Sequence, residues 1–218
     1  MKKILATVLA TLMVFSMSAC TKTAEHQLLD VDGNLKGYVV ETINKHCTKL
    51  EFLDESRNIT HTMEVPDEKS RFNVGVFDNF ADRTPFKFNS DNSINGVVYI
   101  FFDKWNEEKQ YYETVKEYYT YPCSGQIMEE YEVAKSKDES FECYTSIKLY
   151  NEDGSVKFTF TPKYAKFVNV GRSSLFDDIT YMITEYDDQE IEVCVWHYDF
   201  ETLEFICVFD ADGNEIIE

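Results

Sequence analysis

Residues 147–160 read IKLYNEDGSVKFTF, and this stretch decides the fold class. Ile147 and Leu149 alternate with Lys148; Val156, Phe158 and Phe160 alternate with Lys157 and Thr159. Period-two alternation puts the apolar residues on one face of an extended chain. Between the two runs lies Asn151-Glu152-Asp153-Gly154-Ser155. Asn and Asp bond their own backbone there, and Gly supplies the positive φ that tight hairpins need. The unit is a β-hairpin.

The same grammar recurs outward. Asp30-Val31-Asp32-Gly33-Asn34 and Asp210-Ala211-Asp212-Gly213-Asn214 repeat the turn chemistry, and further turns fall near 54–58, 77–79, 89–92, 122–125 and 136–140. Residues 97–102, VVYIFF, form a more fully apolar strand. Turns at roughly 12–25 residue intervals between strand-like runs predict an all-β fold. The expected architecture is an antiparallel meander forming a sandwich, a barrel or a large twisted sheet, with at most one or two short helices. Two segments could supply those helices. In Trp105–Tyr119, Glu108, Tyr112, Val115 and Tyr119 fall at helical spacing, but Tyr111–Tyr121 also alternates and is read as strand. Ser173–Asp178 could form a helical turn. No strict repeat period emerges. Tyr150–Phe158 and Phe209–Ile216 resemble the strand-turn-strand unit of YD-type β-meander repeats, a likeness of hairpin chemistry without the regular spacing of that family.

The start of the chain is of another kind. Met1-Lys2-Lys3 precedes an apolar run from Ile4 to about Met17, followed by Ser18-Ala19-Cys20. A positive start, an apolar stretch and small residues before a cut are the parts of a secretory signal, here too short to span a bilayer of about 20 residues. Met17-Ser18-Ala19-Cys20 resembles the lipobox of bacterial lipoproteins, with Met17 where Leu is usual. That resemblance implies a diacylglyceryl group on Cys20 Sγ, cleavage before Cys20, and anchoring through the N-terminal lipid. The expected organisation is a signal peptide over 1–19, a lipidated tether over 20–27, and one β-rich exported domain over 28–218.

Hydrophobic content of 44% and aromatic content of 15% suffice for a real core. The formal net charge is −19; without Lys2 and Lys3 it is about −21. Such a chain lacks the basic footprint that nucleic acid requires. It suits solubility, cation-rich surroundings or a basic partner.

Beyond Cys20 there are five cysteines: Cys47, Cys123, Cys143, Cys194 and Cys207. An odd number in an exported protein leaves at least one thiol over. If the last long hairpin closes about Phe200 and Glu201, Cys194 faces Cys207 and a cross-strand disulfide is feasible; the alternative is two buried thiols. The same register puts His197 on the face away from Trp196, solvated or half-buried.

The Asp-x-Asp-Gly-Asn runs at Asp30 and Asp210 share residue types with calcium loops but lack the third alternate ligand and the closing Glu, so they are read as hairpin turns. His26, His46, His61 and His197 have no zinc-site spacing, and no nucleophile or phosphate-loop motif is present. No catalytic residue, metal or cofactor is assigned. The expected function is an envelope-anchored, non-catalytic β domain that binds an unknown protein or small molecule. The alternatives are an inhibitor or immunity-type lipoprotein that captures a basic toxin or lytic enzyme, and an enzyme acting on extracellular polymers.

Overall fold

The computed structural model describes residues 21–30, 32–77, 80–81, 93–94, 96–135, 142–175 and 178–217. The leader, Cys20 included, lies outside them. The strands are β1 (Lys22–Leu29), β2 (Leu35–Ile43), β3 (Cys47–Asp54), β4 (Ile59–Glu64), β5 (Ser70–Phe77), β6 (Phe80–Ala81), β7 (Ser93–Ile94) and β8 (Val97–Asn106). They continue as β9 (Tyr111–Thr120), β10 (Ile127–Lys135), β11 (Glu142–Tyr150), β12 (Val156–Phe160), β13 (Phe167–Leu175), β14 (Asp178–Tyr186), β15 (Glu192–Asp199) and β16 (Phe205–Asp210). No helix occurs among the described residues. The all-β expectation holds.

Of the architectures expected, the large open sheet is the one found. Fourteen strands form a single antiparallel sheet in the order β1-β2-β3-β5-β8-β9-β10-β11-β13-β14-β15-β16, with β4 beside β3 and β12 beside β11; β6 and β7 pair separately. Residues 147–160 form the β11–β12 hairpin as read, Ile147 opposite Phe160 and Leu149 opposite Phe158. Neither suspected helix forms. Trp105 and Asn106 end β8 and Tyr111–Thr120 is β9, joined by a turn in which the Asn106 carboxamide accepts the Glu108 and Lys109 amides. Ser173–Leu175 and Asp178 belong to the β13–β14 hairpin.

The recurrent turn has one mechanism. In the turns opened by Asp30, Asp54, Asp187 and Asp210, the carboxylate accepts the amide four residues on. The residue before that amide has a left-handed backbone: Gly33 (φ 79°), Arg57 (φ 67°), Glu190 (φ 63°) and Gly213 (φ 82°). This is a type I turn followed by a bulge residue, the usual three-residue hairpin loop. At Asp30 and Asp210 the carboxylate oxygens are engaged by the turn's own amides and carboxamide, as the hairpin reading requires.

Two cores lie on opposite faces of the sheet. The first gathers Leu28, Val39, Cys47, Leu50, Phe52, Phe72, Val98 and Ile100. The second gathers Tyr119, Met128, Tyr131, Tyr144, Ile147, Leu149, Phe160, Tyr181, Ile183, Trp196 and Val208, among others. They meet back to back at β8 and β9. Val98, Ile100 and Tyr118 serve the first core, and Val97, Tyr99 and Tyr119 the second. Residues 97–102 lack polar alternation because both faces are covered.

The segment read as a tether is part of the fold: Lys22–Gln27 is most of β1, paired along β2 from Lys22 opposite Ile43. Its inward residues are Ala24, His26 and Leu28, too weakly apolar a pattern to announce a strand.

The ladders reveal an internal repeat. β3 pairs β4 along its later half and touches β5 at Cys47–Phe72; β11 pairs β12 along its later half and touches β13 at Tyr144–Val168. The register shifts correspond as well. They fall at Phe52/Leu53 and Leu149/Tyr150, at Thr42/Ile43 and Glu132/Val133, and at Phe102/Asp103 and Glu185/Tyr186. Bulges are placed features of a sheet. Their coincidence makes β1–β5 with β8 one unit and β9–β14 a second, while β15 and β16 repeat β9 and β10.

Candidate binding site

In each unit the sheet forks, because a short strand, β4 or β12, takes one half of an edge that the next long strand cannot then follow. The matching ladders align Met63 with Phe160, Phe72 with Val168, Phe102 with Glu185, and Tyr118 with Trp196.

The second fork is closed from within. Glu185 is fully buried, and its carboxylate accepts the backbone amides of Lys163 (2.9 Å), Tyr164 (2.7 Å) and Ala165 (2.7 Å) and the Trp196 indole N–H (2.7 Å). Hydrogen bonds to a charged acceptor are the strong ones, and three successive amides fix a loop with little freedom left. The 161–166 loop is thereby laid over the fork. Tyr164 stacks on Trp196 at 5.8 Å and 17°, Phe160 meets Trp196 edge-on at 5.5 Å, and Lys163 Nζ lies 5.3 Å from the Tyr164 ring centre.

Among the described residues the first fork has no such clamp. Phe102 stands where Glu185 stands and cannot accept an amide. The 65–69 loop is held in another way: the Asp67 carboxylate accepts the Lys69 amide and the Ser70 hydroxyl, the Val65 amide donates to the Thr48 carbonyl, and the Lys69 carbonyl accepts the Trp105 amide. A pocket of about 390 Å³ remains, open to solvent and lined by Met63, Glu64, Pro66, Phe72, Phe102 and Tyr118. Phe72 and Phe102 lie 5.8 Å apart and tilted, and Lys104 Nζ is 5.7 Å from the Phe102 ring centre. Burial, ahead of the nearby charges, raises the Tyr118 phenol above its ordinary value, so it stays a neutral hydrogen-bonding group. A concave apolar wall with a few polar groups is what ligand pockets share, and the volume falls in the range of about 300–1,000 Å³.

The sequence-selected residues lie elsewhere. Cys194 stands opposite Asp210 and Cys207 opposite His197, and both are thiols. The expected disulfide is corrected. Asp199 closes a longer loop, bonding the Leu203 amide through its carbonyl, with Leu203 left-handed at φ 62° and a bulge after His197. The register therefore shifts by an odd number of residues, and the two thiols face opposite sides of the sheet. All five described cysteines are thiols. His197 does lie away from Trp196 but is buried, 6% exposed, with Nδ1 2.9 Å from the Thr180 hydroxyl. His26 Nε2 meets the Glu41 carboxylate at 2.5 Å, His46 packs on Tyr112, and His61 on Phe52. Among the described residues no three His, Cys, Asp or Glu side chains gather as a metal site.

A second polar cluster is internal. On adjacent strands Glu117 faces Tyr131 and Glu129 faces Tyr119. Tyr131 donates to Glu129 (2.6 Å) and Tyr144 to Glu117 (3.1 Å), all within the second core. Sealed from solvent, it ties strands together and offers no access to a substrate.

None of the pocket residues was selected from sequence. The available signal was the unbroken apolar run ending in Phe102, which marks a strand covered on both faces.

Comparison with protein-family models and with curated proteins finds no match to this chain.

Proposed function

We propose that this protein is a lipid-anchored binding module of the bacterial cell envelope, non-catalytic, whose ligand site is the first fork. The anchoring half rests on the leader and on Cys20. The binding half rests on one observation: a fork that the second unit fills with its own loop and rings stands open in the first. An apolar concavity that the described residues leave open, where the matching fork of the second unit is filled, suits a ligand from outside the chain.

Both halves are testable on the mature protein in lipid nanodiscs. Mass spectrometry finds a diacylglyceryl-modified Cys20 at the N-terminus; an unmodified Cys20 contradicts the anchor. With methionine methyls labelled, p-cresol moves the Met63 methyl resonance and leaves that of the fully buried Met128 in place. No movement of Met63 up to the solubility of p-cresol contradicts the site.

A further inference from the structure

We infer that the occupant of the first fork is an aromatic side chain presented by a basic polypeptide segment of a partner protein. The inference deepens the proposed binding role and rests on it.

The second unit shows what the fork is shaped to hold. Its equivalent space takes Tyr164, whose ring lies parallel to Trp196, with Lys163 beside both rings at 5.3 Å and 5.8 Å. Tyr118 occupies the Trp196 position in the first fork, so it brings an aromatic ring to the matching place, in a lining it shares with Phe72 and Phe102. An aromatic side chain brings large apolar area at low entropic cost and pairs well with other rings at 4.5–7 Å.

Charge selects the kind of segment. The chain carries 40 acids against 21 bases. At the pocket Glu64 is on the wall, and Asp67 and Glu68 are exposed in the adjoining loop. Of the nearby cations among the described residues, Lys49 pairs with Glu51 and Glu64, Lys69 with Glu107 and Lys116 with Glu130, which leaves Lys104, over the Phe102 ring, as the cation at the wall against Glu64, Asp67 and Glu68. A basic segment is steered to such a surface, while a second copy of this acidic chain is repelled.

The chain's own loop provides the probe. The capped hexapeptide of residues 161–166, TPKYAK, carries one tyrosine and two lysines. Added to the full mature protein at low salt, it moves the Met63 methyl. Replacing its tyrosine by alanine weakens binding about threefold or more, the value of a ring about half buried, as Tyr164 is at 43% exposed. Replacing its lysines by glutamate, or raising salt, weakens it by about threefold or more. If p-cresol moves Met63 but the basic and acidic peptides bind alike, the charged-partner inference is overturned and the pocket stands. If concentrating the protein alone moves Met63, a second copy is the occupant and the inference is overturned. If neither p-cresol nor peptide moves it, the binding reading falls as well.

Discussion

The two forks share a strand pairing and its register shifts, and differ in their side chains and in the loop after the short strand, 65–69 in one and 161–166 in the other. At one ladder position the second unit has Glu185 and the first has Phe102. The carboxylate gathers three amides and an indole N–H, and a loop closes over the sheet. The phenyl ring accepts no amide, the loop is held by Asp67 and by backbone bonds to Thr48 and Trp105, and a pocket stays open. A repeated architecture can thus be closed in one copy and left with a pocket in the other, according to whether a buried acceptor is supplied.

The largest expected effect comes from breaking the clamp. Glu185→Leu leaves three amides and an indole N–H short of an acceptor. Each hydrogen bond to a charged group is worth about 1.5–3 kcal/mol, so the variant loses roughly 4 kcal/mol or more in urea unfolding. A loss below about 1 kcal/mol breaks the account of how the second fork closes.

Exchanging the paired residues Met63 and Phe160 is the next test. Phe160→Met removes a ring from a packed site and costs about 1–3 kcal/mol. Met63→Phe adds a ring to an open one, leaves stability equal or higher by up to about 1 kcal/mol, and weakens p-cresol binding. Equal losses from both variants deny the difference between the forks.

The third test is pH. Burial holds the imidazoles of His61, on the wall strand β4, and His197 below their ordinary value. The unfolded chain takes up these protons near pH 6.5 and the folded chain only at lower pH. The stability concerned is present above about pH 6.5 and is lost as pH falls below it. The second unit has Phe158 at the His61 position, so His61→Phe flattens the pH dependence of stability between about pH 6.5 and 5. An unchanged slope contradicts it. At lower pH the turn carboxylates act. Asp54 and Asp210 are held below the usual carboxylate range first by the side chains of Asn58 and Asn214, and Asp30 by the Asn34 amide. Their contribution is present above about pH 4 and fades as pH falls further.

The smallest effect compares equivalent turns. Gly154 (φ 81°) and Arg57 (φ 67°) occupy the same left-handed position in the two fork hairpins. Gly154→Ala costs about 1 kcal/mol. Arg57→Gly relieves the backbone but gives up the bidentate pair with Glu25 and the contact with the Tyr38 ring, so its net change in the same unfolding experiment is smaller.

Local chemistry carried the fold class. The alternation around Asn151–Ser155 and the repeated Asp turns are properties of a few neighbouring residues; the Asp30 and Asn151 turns join paired strands, and the Asp210 turn is followed by a single bridge, Phe209 to Glu215. What failed depended on loop geometry or on distant partners. The Cys194–Cys207 register was lost to one left-handed residue, Leu203, and a bulge after His197. The tether reading was lost because Ala24 and His26 are inward residues of an edge strand without strong apolarity. The repeat escaped because the two units share bulge positions and strand pairings, while Phe102 and Glu185, or Tyr118 and Trp196, share no residue type. A position that holds phenylalanine in one copy and a fully buried glutamate in the other shows no period in composition. The pocket was illegible for the same reason, since it is defined by comparison with a filled site.

The central claim is that one fork is open and the other closed, and one titration reads both. p-Cresol is added to the mature protein while the Met63 methyl and the Trp196 indole N–H resonances are followed together. The account predicts a saturable shift of Met63 with Trp196 unmoved, its N–H held by Glu185. A shift of Trp196, or no shift of either, contradicts it.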